Sequence, residues 1–256
     1  MFNILTYPSY PPADAGRVMT GKKSTLPGGL KLMLLCAALF SHLALAGQKK
    51  STLPEGFVRL KQVIPAIEIE LRYYSDDNFV GRRIPGYEKE EAVLSKQAAA
   101  ALAEAQQELM KFGLGLKVYD AYRPQRAVDF FVRWAEDLGD TKMKARYYPE
   151  VAKKDLFNHG YIAEKSGHSR GSTVDVTLVS LMGGKPVELD MGTSWDYFSV
   201  KSWPANLALS AQQRANRMLL QQVMTKQGFS FLEEEWWHFT LKEEAYKDQY
   251  FDFVIK

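Results

Sequence analysis

Residues 166–177 read Ser-Gly-His-Ser-Arg-Gly-Ser-Thr-Val-Asp-Val-Thr, a polar turn that leads into an alternating apolar pattern. The alternation predicts a strand on which Asp175 projects from the polar face. His168 lies seven residues earlier, and an odd separation on one flat strand would put the two side chains on opposite faces. A turn at Gly171 is therefore needed to bring His168 back over Asp175.

A second segment, residues 233–241, reads Glu-Glu-Glu-Trp-Trp-His-Phe-Thr-Leu. On a strand, His238 and Thr240 face one way, and Trp237, Phe239 and Leu241 face the other way, into a core. Trp236 and Trp237 are expected in the core or in the wall of a site and not as a binding platform. Glu235 precedes His238 by three residues, so a bend or bulge is required for both to reach the same space.

The rest of the chain contains three segments with helical character and one further strand. The helices are expected at about 89–112, from Pro124 to about 139, and from Ser210, a good N-cap, to about 228. The expected strands are 116–119, 173–179 and 236–241. Helices and strands do not alternate regularly. This predicts an α+β fold, with a mostly antiparallel central sheet flanked by helices, in a single domain over 47–256.

Residues 1–46 have the pattern of a signal peptide for export. Lys31 precedes the apolar run 32–40, and Ala-Leu-Ala at 44–46 predicts cleavage before Gly47. We therefore expect a periplasmic or otherwise exported protein. The alternative is an uncleaved N-terminal anchor, which would be the protein's connection to the membrane. Cys36 is the only cysteine in the chain, so a metal site in the body would use histidine and carboxylates.

The positive charge of the chain belongs to this leader. The chain has 33 basic and 30 acidic residues, and removing the four basic residues and one acidic residue of 1–46 leaves 29 of each. A formally neutral body has no electrostatic footprint for nucleic acid, so we expect no such partner.

The body contains three histidines, and two of them lie in the segments quoted above. Two imidazoles and one carboxylate form a typical three-ligand set for a catalytic zinc ion with an open position for water. His168, Asp175 and His238 are the candidates, and a carboxylate that is not a ligand, Glu235, could take a proton from that water. The residue types alone also fit an ordinary polar turn and a surface acid beside an aromatic strand. His159 is expected to be a loop residue.

The order of the motifs resembles the D-alanyl-D-alanine metallopeptidase family, whose fold is hedgehog-like. The resemblance rests on Ser-x-His-x-x-Gly-x-x-x-Asp at 166–175 and Glu-x-Trp-His at 235–238. It is supported by Asp-Ala-Tyr-Arg-Pro at 120–124, by Tyr73 ahead of Asp-Asn-Phe at 77–79, and by Tyr-Phe-Asp-Phe at 250–253. The similarity extends over roughly 57–256.

This resemblance implies one zinc ion per chain, held by the two histidines and the aspartate named above. It also implies that Glu235 is the general base and then the acid for the leaving amine. Arg123 would stabilise the oxyanion of the tetrahedral intermediate. For Arg123, a structural cap or a surface ion pair is the alternative.

The same resemblance assigns three residues to the substrate. Asp196 would pair with a free ammonium group, and Tyr73 and Ser166 would help to hold a dipeptide. An ordinary turn acid at 196 and ordinary cleft residues at 73 and 166 are the alternatives. The chain departs from the family's pattern at Trp195, where phenylalanine is frequent, and at Gly167, where the dipeptidases often have serine.

The leading hypothesis is therefore hydrolysis of the small peptide D-alanyl-D-alanine to D-alanine. One alternative is a D,D-carboxypeptidase that trims peptidoglycan stem peptides. Another is a zinc-containing binding domain without catalysis, and the presence of Glu235 argues against it because such a domain needs no base. An exported dipeptidase would suit the recycling of dipeptides released from the cell wall.

Overall fold

The computed structural model describes residues 53–256, so the predicted signal peptide lies outside the described residues. Within this range the strands in chain order are β1 (Phe57–Arg59), β2 (Glu68–Ile69), β3 (Val93–Ser95), β4 (Leu114–Asp120), β5 (Thr173–Ser180), β6 (Val187–Glu188), β7 (Phe229–Leu232) and β8 (Glu235–Leu241). The helices are α1 (Leu60–Val63), α2 (Lys96–Met110), α3 (Gln125–Glu136), α4 (Lys144–Tyr147) and α5 (Ala211–Lys226). Short 3-10 turns lie between these elements.

A central sheet has the strand order β2-β4-β5-β8-β7, and β6 pairs with one end of β5. β2 and β4 are parallel, and all the other pairs in this sheet are antiparallel. A separate antiparallel pair joins β1 to β3. The predicted α+β class with a mostly antiparallel sheet is confirmed.

The α2 helix begins later than the sequence pattern predicts. Residues 93–95 pair with 57–59 as a strand, so the helix starts at Lys96 instead of near 89. The Ser95 side chain then caps the helix by accepting a hydrogen bond from the Ala98 backbone N–H. Pairing with a distant strand therefore overrides the local helical preference of this segment.

The other two long helices are confirmed, and each ends two or three residues earlier than expected. Pro124 is the N-cap of α3. Ser210 and Gln213 form a reciprocal capping box at the start of α5. No helix among residues 53–256 combines the length and apolar character needed to cross a membrane.

The sheet brings three polar residues side by side. β5 lies between β4 and β8, and Asp175 on β5 is paired with Asp120 on one side and with His238 on the other. All three lie at the same end of the sheet. The side chains of β5 from 173 to 179 are buried on both faces, so this polar row borders the core.

Candidate metal centre and active site

The turn before β5 carries His168. Residues Gly167–Arg170 form a 3-10 turn whose N-cap is Ser166, and the Ser166 Oγ accepts a hydrogen bond from the His168 N–H. Gly171 closes the turn with a φ of 77°, a left-handed conformation that glycine adopts without steric cost. The turn predicted at Gly171 is confirmed, and it places His168 beside the first half of β5.

A bulge in β8 brings Glu235 and His238 together. Phe231 pairs with Phe239, but the next residue of β7, Leu232, pairs with Glu235. Residues 236–238 are therefore additional on β8, which bends the strand. The bulge predicted from the spacing is confirmed, and Glu235 Oε2 lies 3.5 Å from His238 Nδ1. Trp236 and Trp237 are both buried, as expected for core residues.

Three ligand atoms form a nearly equilateral triangle. His168 Nε2 lies 3.3 Å from Asp175 Oδ1, His238 Nδ1 lies 3.2 Å from the same oxygen, and the two nitrogens are 3.3 Å apart. A tetrahedral ion with bonds of about 2.0–2.1 Å has ligand atoms separated by about 3.3–3.4 Å. The spacing of the triangle therefore fits one small divalent cation.

The hydrogen bonds around the triangle also fit a small divalent cation. Asp175 Oδ1 is buried and has no hydrogen-bond partner. The Nδ1 atom of His168 lies 2.7 Å from the Ala121 carbonyl oxygen, an acceptor that favours the tautomer with the proton on Nδ1 and a free lone pair on Nε2. Burial opposes ionisation of Asp175, but the adjacent His168 and His238 hold its pKa well below its usual range. The group is therefore a carboxylate with one oxygen available to a metal.

The environment of Glu235 raises its pKa. Burial raises the pKa of Glu235 to about 8, and the negative charge of Asp175 acts in the same direction, while Arg123 opposes it. A cation bound at the triangle would lower this pKa, because its charge stabilises the ionised carboxylate. A carboxyl group with a pKa near the working pH is suited to accept and return a proton.

Arg123 lies at the site and is not a surface ion pair. Its side chain is 14% exposed, and its Nε donates a 2.8 Å hydrogen bond to Asp120 Oδ2. Its guanidinium carbon lies 5.1 Å from the centre of the Tyr73 ring, and Nη2 lies 3.8 Å from Asp175 Oδ2. These contacts fix a positive charge next to the candidate metal ligands.

Asp196 and Tyr73 form a buried pair. The Tyr73 hydroxyl donates a 2.7 Å hydrogen bond to Asp196 Oδ2. Asp196 has a φ of 56°, an uncommon conformation for a residue other than glycine, which aspartate tolerates better than most. Burial raises the pKa of Asp196 well above its usual range, and the charges of Asp175 and Glu235 add to this effect. A cationic partner would stabilise the ionised form.

All eight residues predicted for the site line one cavity of about 110 Å³. These are Tyr73, Arg123, Ser166, His168, Asp175, Asp196, Glu235 and His238. Aromatic side chains, including Phe131, Tyr161 and Phe198, form much of the remaining wall. The small volume and partly apolar wall suit a small ligand with a few charged groups.

Asp120 is a site residue whose role the sequence pattern did not predict. Its side chain is fully buried and accepts hydrogen bonds from the Tyr87 hydroxyl at 2.7 Å and from Arg123. Its Oδ2 also lies 3.6 Å from His168 Nδ1. The one available signal was its place three residues before Arg123 in the Asp-Ala-Tyr-Arg-Pro segment.

Comparisons with known proteins identify the family of this chain. The sequence model described as D-ala-D-ala dipeptidase matches residues 54–256. The chain is 40% identical to a D-alanyl-D-alanine dipeptidase of Streptomyces coelicolor over 199 residues, which are 78% of this chain and 98% of that protein. It is 38% identical to one of Enterococcus faecalis over 78% of this chain and 98% of that protein. It is 34% identical to one of Escherichia coli K12, over 73% of this chain and 86% of that protein.

The chain therefore belongs to the D-Ala-D-Ala dipeptidase family, and it is a metallopeptidase of that family.

Proposed function

We propose that this protein is a zinc-dependent dipeptidase that hydrolyses D-alanyl-D-alanine to two molecules of D-alanine. The observation that carries the proposal is the triangle of ligand atoms, 3.2–3.3 Å apart, in the wall of a small cavity that also contains Glu235 and Asp196. The relatives that are 34–40% identical are D-alanyl-D-alanine dipeptidases by name.

His168, Asp175 and His238 would hold one zinc ion per chain. When bound, zinc supplies Lewis-acid chemistry towards water and the scissile carbonyl group. Zinc suits this set because two imidazoles and one carboxylate are ligands it accepts readily, and three protein ligands leave an open position.

Glu235 is the residue that moves the proton. It takes a proton from the attacking water and returns it to the leaving amine, so one carboxyl group acts first as base and then as acid. Its carboxylate lies beside His238 but outside the triangle, which leaves it available for this role.

Arg123 stabilises the negative charge that develops on the carbonyl oxygen. Its guanidinium is held by Asp120 and by the ring of Tyr73 before substrate arrives. A donor that is already oriented needs little rearrangement in the transition state, which is the source of its catalytic effect.

Asp196 accepts the ammonium group of the dipeptide. The residue is 4% exposed, and its carboxylate accepts a hydrogen bond from the Tyr73 hydroxyl that orients it. A buried carboxylate beside the amino terminus of the substrate favours a peptide whose amino group is free. A longer chain has an amide there and would leave the carboxylate charge of Asp196 without a partner. Ser166 caps the turn that carries His168 and lines the cavity, which places it where it would help to hold the dipeptide. These features favour a dipeptidase over a D,D-carboxypeptidase.

The experiment is to measure D-alanine release by the purified protein from D-alanyl-D-alanine and from a peptidoglycan pentapeptide, with and without a chelator. We expect chelator-sensitive hydrolysis of the dipeptide and little hydrolysis of the pentapeptide. Hydrolysis of the pentapeptide alone would identify a carboxypeptidase, and zinc binding without cleavage of either peptide would identify a binding domain.

The proton role of Glu235 is tested by Glu235→Gln, which keeps the shape of the side chain and removes the base. We expect kcat to fall by about 10²–10⁴-fold, with the zinc content unchanged by metal analysis. Glu233→Gln is the matched control, because Glu233 is exposed and lies outside the cavity lining. Equal activity of Glu235→Gln and wild type would remove Glu235 from the mechanism.

We also propose that residues 1–46 direct export, which would place the enzyme where dipeptides are released from the cell wall. The support is the charge and apolar pattern of this segment. Sequencing the amino terminus of the protein recovered from the periplasmic fraction tests the proposal. We expect the mature chain to begin at Gly47, and a protein that retains Met1 in the cytoplasm would contradict export.

A further inference from the structure

The two oxygens of Asp175 have different environments. Oδ1 faces the two histidine nitrogens and has no hydrogen-bond partner. Oδ2 points the other way and accepts a hydrogen bond from the indole Nε1–H of Trp195 at 3.1 Å. The nearest charged donor to Oδ2, Arg123 Nη2, is farther away at 3.8 Å. The indole is therefore the direct partner of the oxygen that faces away from the ligand triangle.

Trp195 is a fixed donor. Its side chain is 1% exposed, and its ring stacks on Tyr119 with centroids 5.6 Å apart and packs against Tyr73 at 5.0 Å. An indole N–H can donate a hydrogen bond but cannot accept one. In its contact with the carboxylate, the indole is therefore always the donor. Because the ring cannot turn without disturbing both tyrosines, the position of the donor is set by the core.

We propose that Trp195 is a positioning residue that strengthens metal binding in this chain, because it holds Asp175 with one oxygen directed at the ligand triangle. The inference rests on the proposed zinc site and concerns a side chain that touches neither the metal nor the substrate in that proposal. The hydrogen bond to Oδ2 fixes the rotation of the carboxylate and leaves Oδ1 directed at the space between His168 and His238.

The expected effect on metal affinity follows from the motion of Asp175 that the hydrogen bond from Trp195 prevents. Without the indole N–H, a buried carboxylate oxygen loses its shortest hydrogen bond, and the carboxylate can rotate away from the triangle. Outer partners that orient metal ligands typically contribute about 10–100-fold to metal affinity. Trp195 therefore belongs to the metal site even though it is not a ligand.

The test uses Trp195→Phe in the full chain, with zinc affinity as the readout. The dissociation constant for Zn²⁺ alone is measured by competition with a chromophoric chelator at fixed pH. We expect Trp195→Phe to bind zinc about 10–100-fold more weakly than the wild type. The absorption bands of the Co²⁺-substituted protein should also shift, because the geometry of the carboxylate changes.

The matched control is Trp134→Phe. Trp134 is also buried, but its Nε1 has no hydrogen-bond partner in the structure. This variant makes the same change of ring in the core and removes no bond to a metal ligand, so its zinc affinity should equal that of the wild type. Equal weakening of zinc binding in both variants would assign the effect to packing and overturn the proposal.

A second substitution at position 195 separates loss of the hydrogen bond from misfolding of the variant. Replacing Trp195 with β-(3-benzothienyl)alanine keeps the bicyclic ring and exchanges the N–H for sulfur, so only the donor is lost. Unchanged zinc affinity in this protein would overturn the positioning role while leaving the proposed zinc site intact. A wild-type protein that binds no zinc would instead overturn both proposals, which separates the two failures.

Discussion

Arg123 illustrates how neighbouring groups determine the role of a single side chain. The residue before a helix-starting proline can be a cap or a surface ion pair, and the sequence allowed both. In the folded chain its guanidinium is held by Asp120 and covers the Tyr73 ring. A planar cation with several donors in a fixed orientation is suited to an oxyanion. The proposed use of Arg123 is therefore supported by its contacts with buried groups and not by the residue type alone.

The first prediction is that Arg123→Ala lowers the activity of the enzyme. We expect kcat for the dipeptide to fall by about 10²–10³-fold, because one preoriented donor to the oxyanion is lost. Steady-state kinetics with metal analysis of the same sample provide the measurement. Arg123→Lys should recover part of the activity, since it keeps the charge and loses the fork of donors. A change in KM alone would assign Arg123 to substrate binding.

The turn that carries His168 illustrates control at the scale of one element. Gly171 adopts a φ of 77°, and a Cβ atom at this position would overlap the ring of Phe57. Phe57 in turn packs edge-on against Tyr122 and Phe251, so its ring has little freedom to move. Two independent restrictions, one on the backbone and one on space, therefore require glycine here.

We predict that Gly171→Ala destabilises the protein more than the same substitution at a glycine that also has a positive φ but has open space around it. Gly183 is the matched control, because its φ is 95° and nothing lies within 4 Å of an added Cβ. Gly183→Ala should cost about 1–2 kcal/mol for the left-handed conformation alone, and Gly171→Ala about 3 kcal/mol or more, because overpacking adds to it.

Urea unfolding of both variants measures these free energies. Gly171→Ala should also weaken zinc binding, because the turn sets the position of His168, and Gly183→Ala should leave zinc affinity unchanged. Similar losses of stability at the two positions would mean that Phe57 moves aside.

At the scale of the whole molecule, the candidate metal site joins parts of the chain that are distant in sequence. His168 comes from a turn, Asp175 from the central strand, and His238 from the strand beside it. The unfolded chain does not hold these groups together, so a metal that binds them binds the folded state. Its binding free energy is then added to the free energy of unfolding.

We predict that a chelator lowers the thermal midpoint. If free zinc is about 100 times its Kd, the stabilisation is about 2.7 kcal/mol, which corresponds to a shift of about 5–11 °C for a chain of this size. Differential scanning calorimetry before chelation, after it, and after zinc is added back measures this shift. His168→Ala should abolish the response to zinc, and His159→Ala should keep it, because His159 is exposed and outside the cavity lining.

The sequence predicted the class of fold, the approximate positions of three helices and three strands, and the four residues of the candidate metal centre, while the other four predicted site residues came from the resemblance to a known family and Asp120 was missed. It also indicated that a turn at Gly171 and a bulge before His238 were needed. These features were accessible because hydrophobic periodicity, capping residues and turn chemistry act over a few neighbouring residues.

Several features of the fold and the site depend on partners that are distant in the sequence. Pairing with β1 made 93–95 a strand instead of the first turn of a helix, and the registers of β4 and β8 placed Asp120 and His238 on either side of Asp175. The same packing directed the indole N–H of Trp195 at Asp175. A local pattern shows which face of a strand is buried, but the choice of partner strand and the packing of side chains depend on contacts between segments far apart in the chain.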